Sequence, residues 1–134
     1  MDKINLQAQR PRKYPLDWED GVFLAARDHC LDQGSQGLVG HYGSDNSSPF
    51  DRMDRFGTAY GLKAENIAYG REIAFDIVLD MFIDDGVVGR GHRLNLWGEA
   101  FGVTGVNICP HTDYEFMTVV LYAGDYEINE YGLD

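Results

Sequence analysis

The sequence predicts an α+β domain in which helices and an antiparallel sheet pack as layers. Three observations predict it: two helical apolar stripes early in the chain, two β-type runs gathered after residue 100, and a length of 134 residues, the size of one hydrophobic core. Apolar residues make up 44% and charged residues 25% of the chain, enough apolar surface to fold. No apolar run approaches the ~20 residues that cross a bilayer.

Taken in order, residues 1–16 hold two prolines and little periodicity and read as an extended arm. Trp18, Val22, Ala25, Ala26 and His29 then form one helical stripe, with Asp17 placed to cap it and Gly34 to end it. Gly34 to Pro49 is rich in Gly, Ser, Asp and Asn and forms a loop of turns and exposed backbone. Pro49 opens a short polar helix to about Phe56, with Asp51, Arg52, Asp54 and Arg55 available for surface ion pairs. Ala64–Tyr69 is a short buried strand or an extended turn. A second long helix carries Ile73, Ile77, Val78 and Met81 as its apolar stripe and ends at Asp84-Asp85-Gly86. A glycine-containing turn leads to His92, and strands about Gly102–Ile108 and Glu115–Ala123 form a hairpin around Pro110 to Asp113.

The net charge of −11 repels phosphate backbones and argues against nucleic acid as a partner. The one basic cluster, Arg10 to Lys13, lies in the arm, where Gln9–Lys13 could dock on an acidic neighbour in a larger assembly. Met1–Lys13 lacks the apolar centre of a secretory leader. Cys30 and Cys109 suit either one disulfide or two buried thiols.

The four histidines differ in setting. His29 falls on the apolar stripe and is expected to be a hydrogen-bonded core histidine. His111 follows Pro110 in the hairpin turn and is expected to be exposed. His41 and His92 each follow a glycine in a loop, where an imidazole can project into a cleft. With one or two carboxylates they suit a divalent transition metal such as zinc. Glu65 lies in a segment expected to be buried, so it needs a partner: a histidine, or one of Arg52, Arg55, Arg90 and Arg93. Asp84 and Asp85 at a helix C-terminus oppose the helix dipole and call for a compensating contact. Ser44, Ser47 and Ser48 lack a nucleophile elbow and read as turn formers.

Four stretches in series resemble the CAP superfamily (cysteine-rich secretory, antigen 5 and pathogenesis-related; SCP-like). They are Ala26–Asp32, Gly40–Asp45, Ala64–Gly70, and Ile83–Val87 continuing through Arg90–Asn95, the last with the short Gly-His-Arg-x-Asn form. The resemblance implies a three-layer α-β-α sandwich with a central antiparallel sheet over residues 17–126, leaving 127–134 as a tail. It implies a cleft lined by His41, Glu65, His92 and Asp84, with Asp85 as the alternative acid, and His41 and His92 as metal ligands. It further implies an extracellular, secreted binding module for a protein, lipid or glycan partner. The enzymatic alternative is a zinc-dependent hydrolase acting on peptides, with Glu65 as general base on a metal-bound water.

Overall fold

The structure is a computed structural model and describes residues 14–83 and 91–129. Its elements are β1 (Asp17–Trp18), α1 (Asp20–Gln36), α2 (Pro49–Asp54), β2 (Gly57–Tyr69), α3 (Ala74–Ile83), α4 (Gly91–Trp97), β3 (Val103–His111) and β4 (Glu115–Ile128). One four-stranded sheet runs β1-β3-β4-β2, antiparallel except for the short parallel pair β1 and β3. Helices cover both faces, so the layers are those of an α-β-α sandwich.

Strand alternation assigns each side chain to a layer. Met117, Val119, Leu121 and Ala123 of β4 join Val22, Ala25 and Ala26 of α1 and Met53 of α2 in one core. Val120 and Tyr122, from the same strand, join Ile77 and Met81 of α3 in a second core on the other face. A disulfide between Cys30 and Cys109 ties α1 to β3. Gly105 allows the two elements to approach, since a Cβ there would lie 2.2 Å from the backbone nitrogen of Phe23.

Several expectations change. Asp17 belongs to β1, and the residue that caps α1 is Glu19, which makes no side-chain capping bond. Gly34 lies inside α1, where a Cβ would meet the Pro110 carbonyl oxygen at 2.3 Å; it is a contact point with β3. The helix ends at Gly37, in the left-handed conformation with φ 68°. Ala64–Tyr69 is the end of a 13-residue strand whose pairing with β4 shifts register between Tyr60 and Lys63. In the stripe expected along α3, Ile77 and Met81 are buried while Ile73 and Val78 are exposed. His92 sits in α4 and not in a loop. His111 is buried, because the hairpin turn folds against the loop after α1. Arg52 also turns inward, while Arg55 alone makes the surface pairs, to Asp28 and Asp45.

The short helix α2 follows local rules closely. Ser48 accepts from the Asp51 amide at 3.1 Å, and the Asp51 carboxylate accepts from the Ser48 amide at 2.9 Å, a reciprocal capping box with Pro49 at the first turn. This cap sets the helix angle that carries Arg52 beneath the loop.

Candidate functional site

The segment from Leu38 to Tyr42 is held by side chains that converge from four elements. His111 donates through Nε2 to the Leu38 carbonyl at 2.8 Å, and His29 through Nε2 to the Gly40 carbonyl at 2.8 Å. Arg52 donates to the His41 carbonyl at 3.0 Å, and Gln33 to the Tyr42 carbonyl at 3.0 Å. The Gly40 amide donates to the Tyr69 hydroxyl at 2.9 Å. All four donors to carbonyls are buried, so the loop backbone is anchored in the core while Val39, His41 and Tyr42 remain exposed. Beyond it, the Asp32 carboxylate accepts from the Ser44 amide and hydroxyl. Burial acts to raise the Asp32 carboxyl, and the two Ser44 bonds outweigh it and hold it below the ordinary range.

The bracing histidines are fixed in tautomer by their partners. Nδ1 of His111 accepts from the Asp113 and Tyr114 amides, so its proton is on Nε2. His29 donates from Nε2, and burial, followed by the Arg52 charge, lowers its pKa. Both brace the loop backbone.

His41 is the exception. Its Nδ1 donates to Glu65 Oε1 at 2.7 Å, while Arg52 donates to Glu65 Oε2 at 2.9 Å. The Glu65 and Arg52 side chains are each 1% exposed, and that of His41 is 53% exposed. The hydrogen bond to Glu65 raises the His41 pKa above 6.5, against the opposing effect of partial burial. Glu65 thus has both expected kinds of partner at once, a histidine and an arginine. With Nδ1 committed, Nε2 is the nitrogen left to meet a ligand.

His92 is reached through the neighbouring residue of β2. Asn66 follows Glu65 and points to the opposite face. It donates to the His92 carbonyl at 3.0 Å and to the Tyr122 hydroxyl at 3.2 Å, and accepts from Asn95 at 2.9 Å. The Glu-Asn pair therefore anchors the His41 loop with one side chain and α4 with the next. Arg93 bonds the Phe82 carbonyl, and the Ile83 carbonyl at 2.9 Å, closing the end of α3. Asp84 and Asp85 lie outside the described residues, as does the basic arm.

A carboxylate behind an imidazole is the arrangement that orients a metal-ligating histidine. Among the described residues, however, no group of three or more His, Cys, Asp or Glu side chains gathers to hold an ion. The described residues fit a single oriented imidazole contact and do not make a complete metal centre.

Sequence reasoning missed His111, Gln33 and Tyr69 as parts of this site and offered Arg52 as one of four arginines open to Glu65, the one the structure selects. Their roles come from contacts distant in the chain; only Arg52, named among the partners open to Glu65, carried a signal.

The family model of the cysteine-rich secretory protein family, CAP, matches residues 7–122. The chain belongs to the CAP family. A curated relative, the uncharacterized protein YkwD of Bacillus subtilis (strain 168), is 28% identical over 106 residues, 79% of this chain. The match covers 39% of that relative's length. Two solved structures share the CAP fold seen here. An outer surface protein from Borrelia burgdorferi superimposes with a TM-score of 0.68 at 18% identity, covering 90% of this chain and 88% of that one. An extracellular protein containing a SCP domain from Bacillus anthracis str. Ames gives 0.64 at 22% identity, covering 82% of this chain and 34% of that one.

Proposed function

We propose that this CAP domain is a non-catalytic binding module whose recognition element is the loop around His41. The observation that carries this reading is the contrast within the loop: a backbone fixed by buried donors, with Val39, His41 and Tyr42 left exposed. Fixing a loop before binding removes the ordering cost that a partner would otherwise meet. A protein partner suits this exposed mixture of aliphatic, aromatic and imidazole groups.

A divalent transition cation is the small ligand that a carboxylate-backed imidazole favours, with Nε2 of His41 as its one donor among the described residues. Such an ion would supply a bridging positive charge to a partner's acidic group. Zinc titration by calorimetry tests this on the full chain. Wild type is expected to bind, and His41→Ala to lose binding; equal affinity in wild type, His41→Ala and His92→Ala removes the cation.

The hydrolase reading requires Glu65 to take a proton from water. Both Glu65 oxygens accept hydrogen bonds from protein groups and its side chain is buried, which supports an orienting role. An extracellular location accords with the Cys30–Cys109 disulfide, since such bonds persist in oxidising compartments. It also accords with relatives described as outer surface and extracellular proteins.

A further inference from the structure

The disulfide joins the two elements that brace the His41 loop. Cys30 follows His29 on α1, and Cys109 lies two residues before His111 on β3. His29 and Gln33 hold the Gly40 and Tyr42 carbonyls from one side of the bond, and His111 holds the Leu38 carbonyl from the other. The two sulfurs differ in setting. Cys30 is fully buried, whereas Cys109 lines a groove of about 280 Å³ between α1 and the turn that joins β3 to β4, together with Leu31, Gly34, Ser35, Pro110 and Thr112. Gly34 has no side chain to cover that sulfur: a Cβ there would lie 3.3 Å from Cys109 Sγ. On the buried side, Cys30 Sγ lies 3.4 Å from the Met117 carbonyl oxygen and 3.8 Å from that of Asn107, so a thiol formed at Cys30 has acceptors in place.

We infer that this groove is a thiol-exchange site, where a small aliphatic thiol attacks Cys109 and, by opening the bond to Cys30, loosens the His41 loop. The thiol first loses its proton to solvent. Its thiolate then bonds to Cys109 Sγ, the Cys30–Cys109 bond breaks with its electron pair going to Cys30 Sγ, and Cys30 takes a proton from water. A second thiol attacks the mixed disulfide, frees Cys109 and leaves as the small disulfide. Access sets which sulfur is attacked, and burial favours the protonated thiol at Cys30 once it is formed. A cavity of ~150 Å³ holds benzene, so 280 Å³ corresponds to about eleven heavy atoms in proportion, room for a thiol the size of cysteine and not for a tripeptide thiol. Charge narrows the class further. The net charge of −11 attracts a cationic thiol and repels an anionic one. Only the consequence for the loop rests on the binding reading proposed above; the exchange itself does not.

The test uses the oxidised full chain under native conditions. Cysteamine, 2-mercaptoethanol and 3-mercaptopropionate serve as cationic, neutral and anionic probes at equal thiolate concentration, read by alkylation of released thiols and peptide mass spectrometry. The adduct is expected on Cys109 and the alkylated thiol at Cys30. Cysteamine is expected to outpace 3-mercaptopropionate about tenfold at low salt, with the gap closing at about 1 M salt. Ser35→Phe, on the exposed side of α1, covers the groove and is expected to slow exchange about tenfold with stability in urea unchanged. On reduction, backbone hydrogen exchange over residues 38–43 is expected to quicken about threefold or more while β4 stays protected. An adduct on Cys30, equal rates for the three probes at low salt, or exchange in folded Ser35→Phe as fast as in wild type overturns the site. Should Ser35→Phe not fold, the adduct position and the charge series decide. Loop exchange unchanged by reduction, or β4 losing protection together with the loop, overturns the coupling. The proposed function is tested on the oxidised protein, so failure of the exchange leaves it standing.

Discussion

The two faces of the sheet are built on different principles. On the α1 and α2 face, Gly34 and Gly105 bring backbones together, a disulfide fixes the separation, and Glu65, Arg52, His29, Gln33 and His111 make directional bonds to one another or to the loop. On the α3 face the packing of α3 against the sheet is mainly apolar and incomplete, with a cavity beneath the helix and Phe75 72% exposed above it, and the directional bonds of Asn66 go chiefly to α4 and Tyr122. Directional bonds specify one arrangement, whereas apolar contact tolerates several. The first face is suited to presenting a fixed surface, the second to admitting something.

The largest effect that separates the faces is expected at Arg52. Arg52→Ala leaves the Glu65 carboxylate buried beside His41 alone, and should destabilise the fold by about 3–5 kcal/mol in urea denaturation. A loss below about 1 kcal/mol means that the pair does not brace this face.

A smaller, pH-dependent effect is expected at His41. Its pKa in the fold is raised above 6.5, so the protonated form is favoured by folding. The stabilisation is fully present below the unfolded value and fades as pH rises through the raised one. Wild type should therefore exceed His41→Ala in stability by more at about pH 5.5 than at about pH 9, and a pH-independent difference contradicts the Glu65 contact as its origin.

The smallest effect is expected on the other face. Phe75→Ser should change stability by no more than about 0.5 kcal/mol, since the ring is already in water. A loss of ~2 kcal/mol shows instead that something covers the α3 face in solution.

Legibility followed the range of the interactions. The α+β class, α1, α3 and the β3–β4 hairpin were readable because periodicity and turn residues act over a few positions. The family was readable from four motifs in order. The capping box of Ser48 and Asp51 obeys a local rule, yet the destination of the next residue, Arg52, depends on β2, and its spacing from Asp51, Asp54 and Arg55 points equally to a surface pair. His111 looked like a turn residue because nothing near it in sequence announces the carbonyl of Leu38. Gly34 and Gly37 exchange roles for the same reason: one meets Pro110, 76 positions away, and the other turns the chain. In the candidate site, His41 and Glu65 were readable as a pair, whereas the bonds that hold the loop were not.

The bond between Cys30 and Cys109 spans 79 positions, and His41, Arg52, Glu65 and His92 all fall between its ends. The His41 loop and its supports are thus enclosed in one covalent ring. A protease that cuts the backbone once inside this ring opens it without releasing a fragment, and the two pieces stay joined until a reductant acts. A single nick there leaves the chain in one covalent piece.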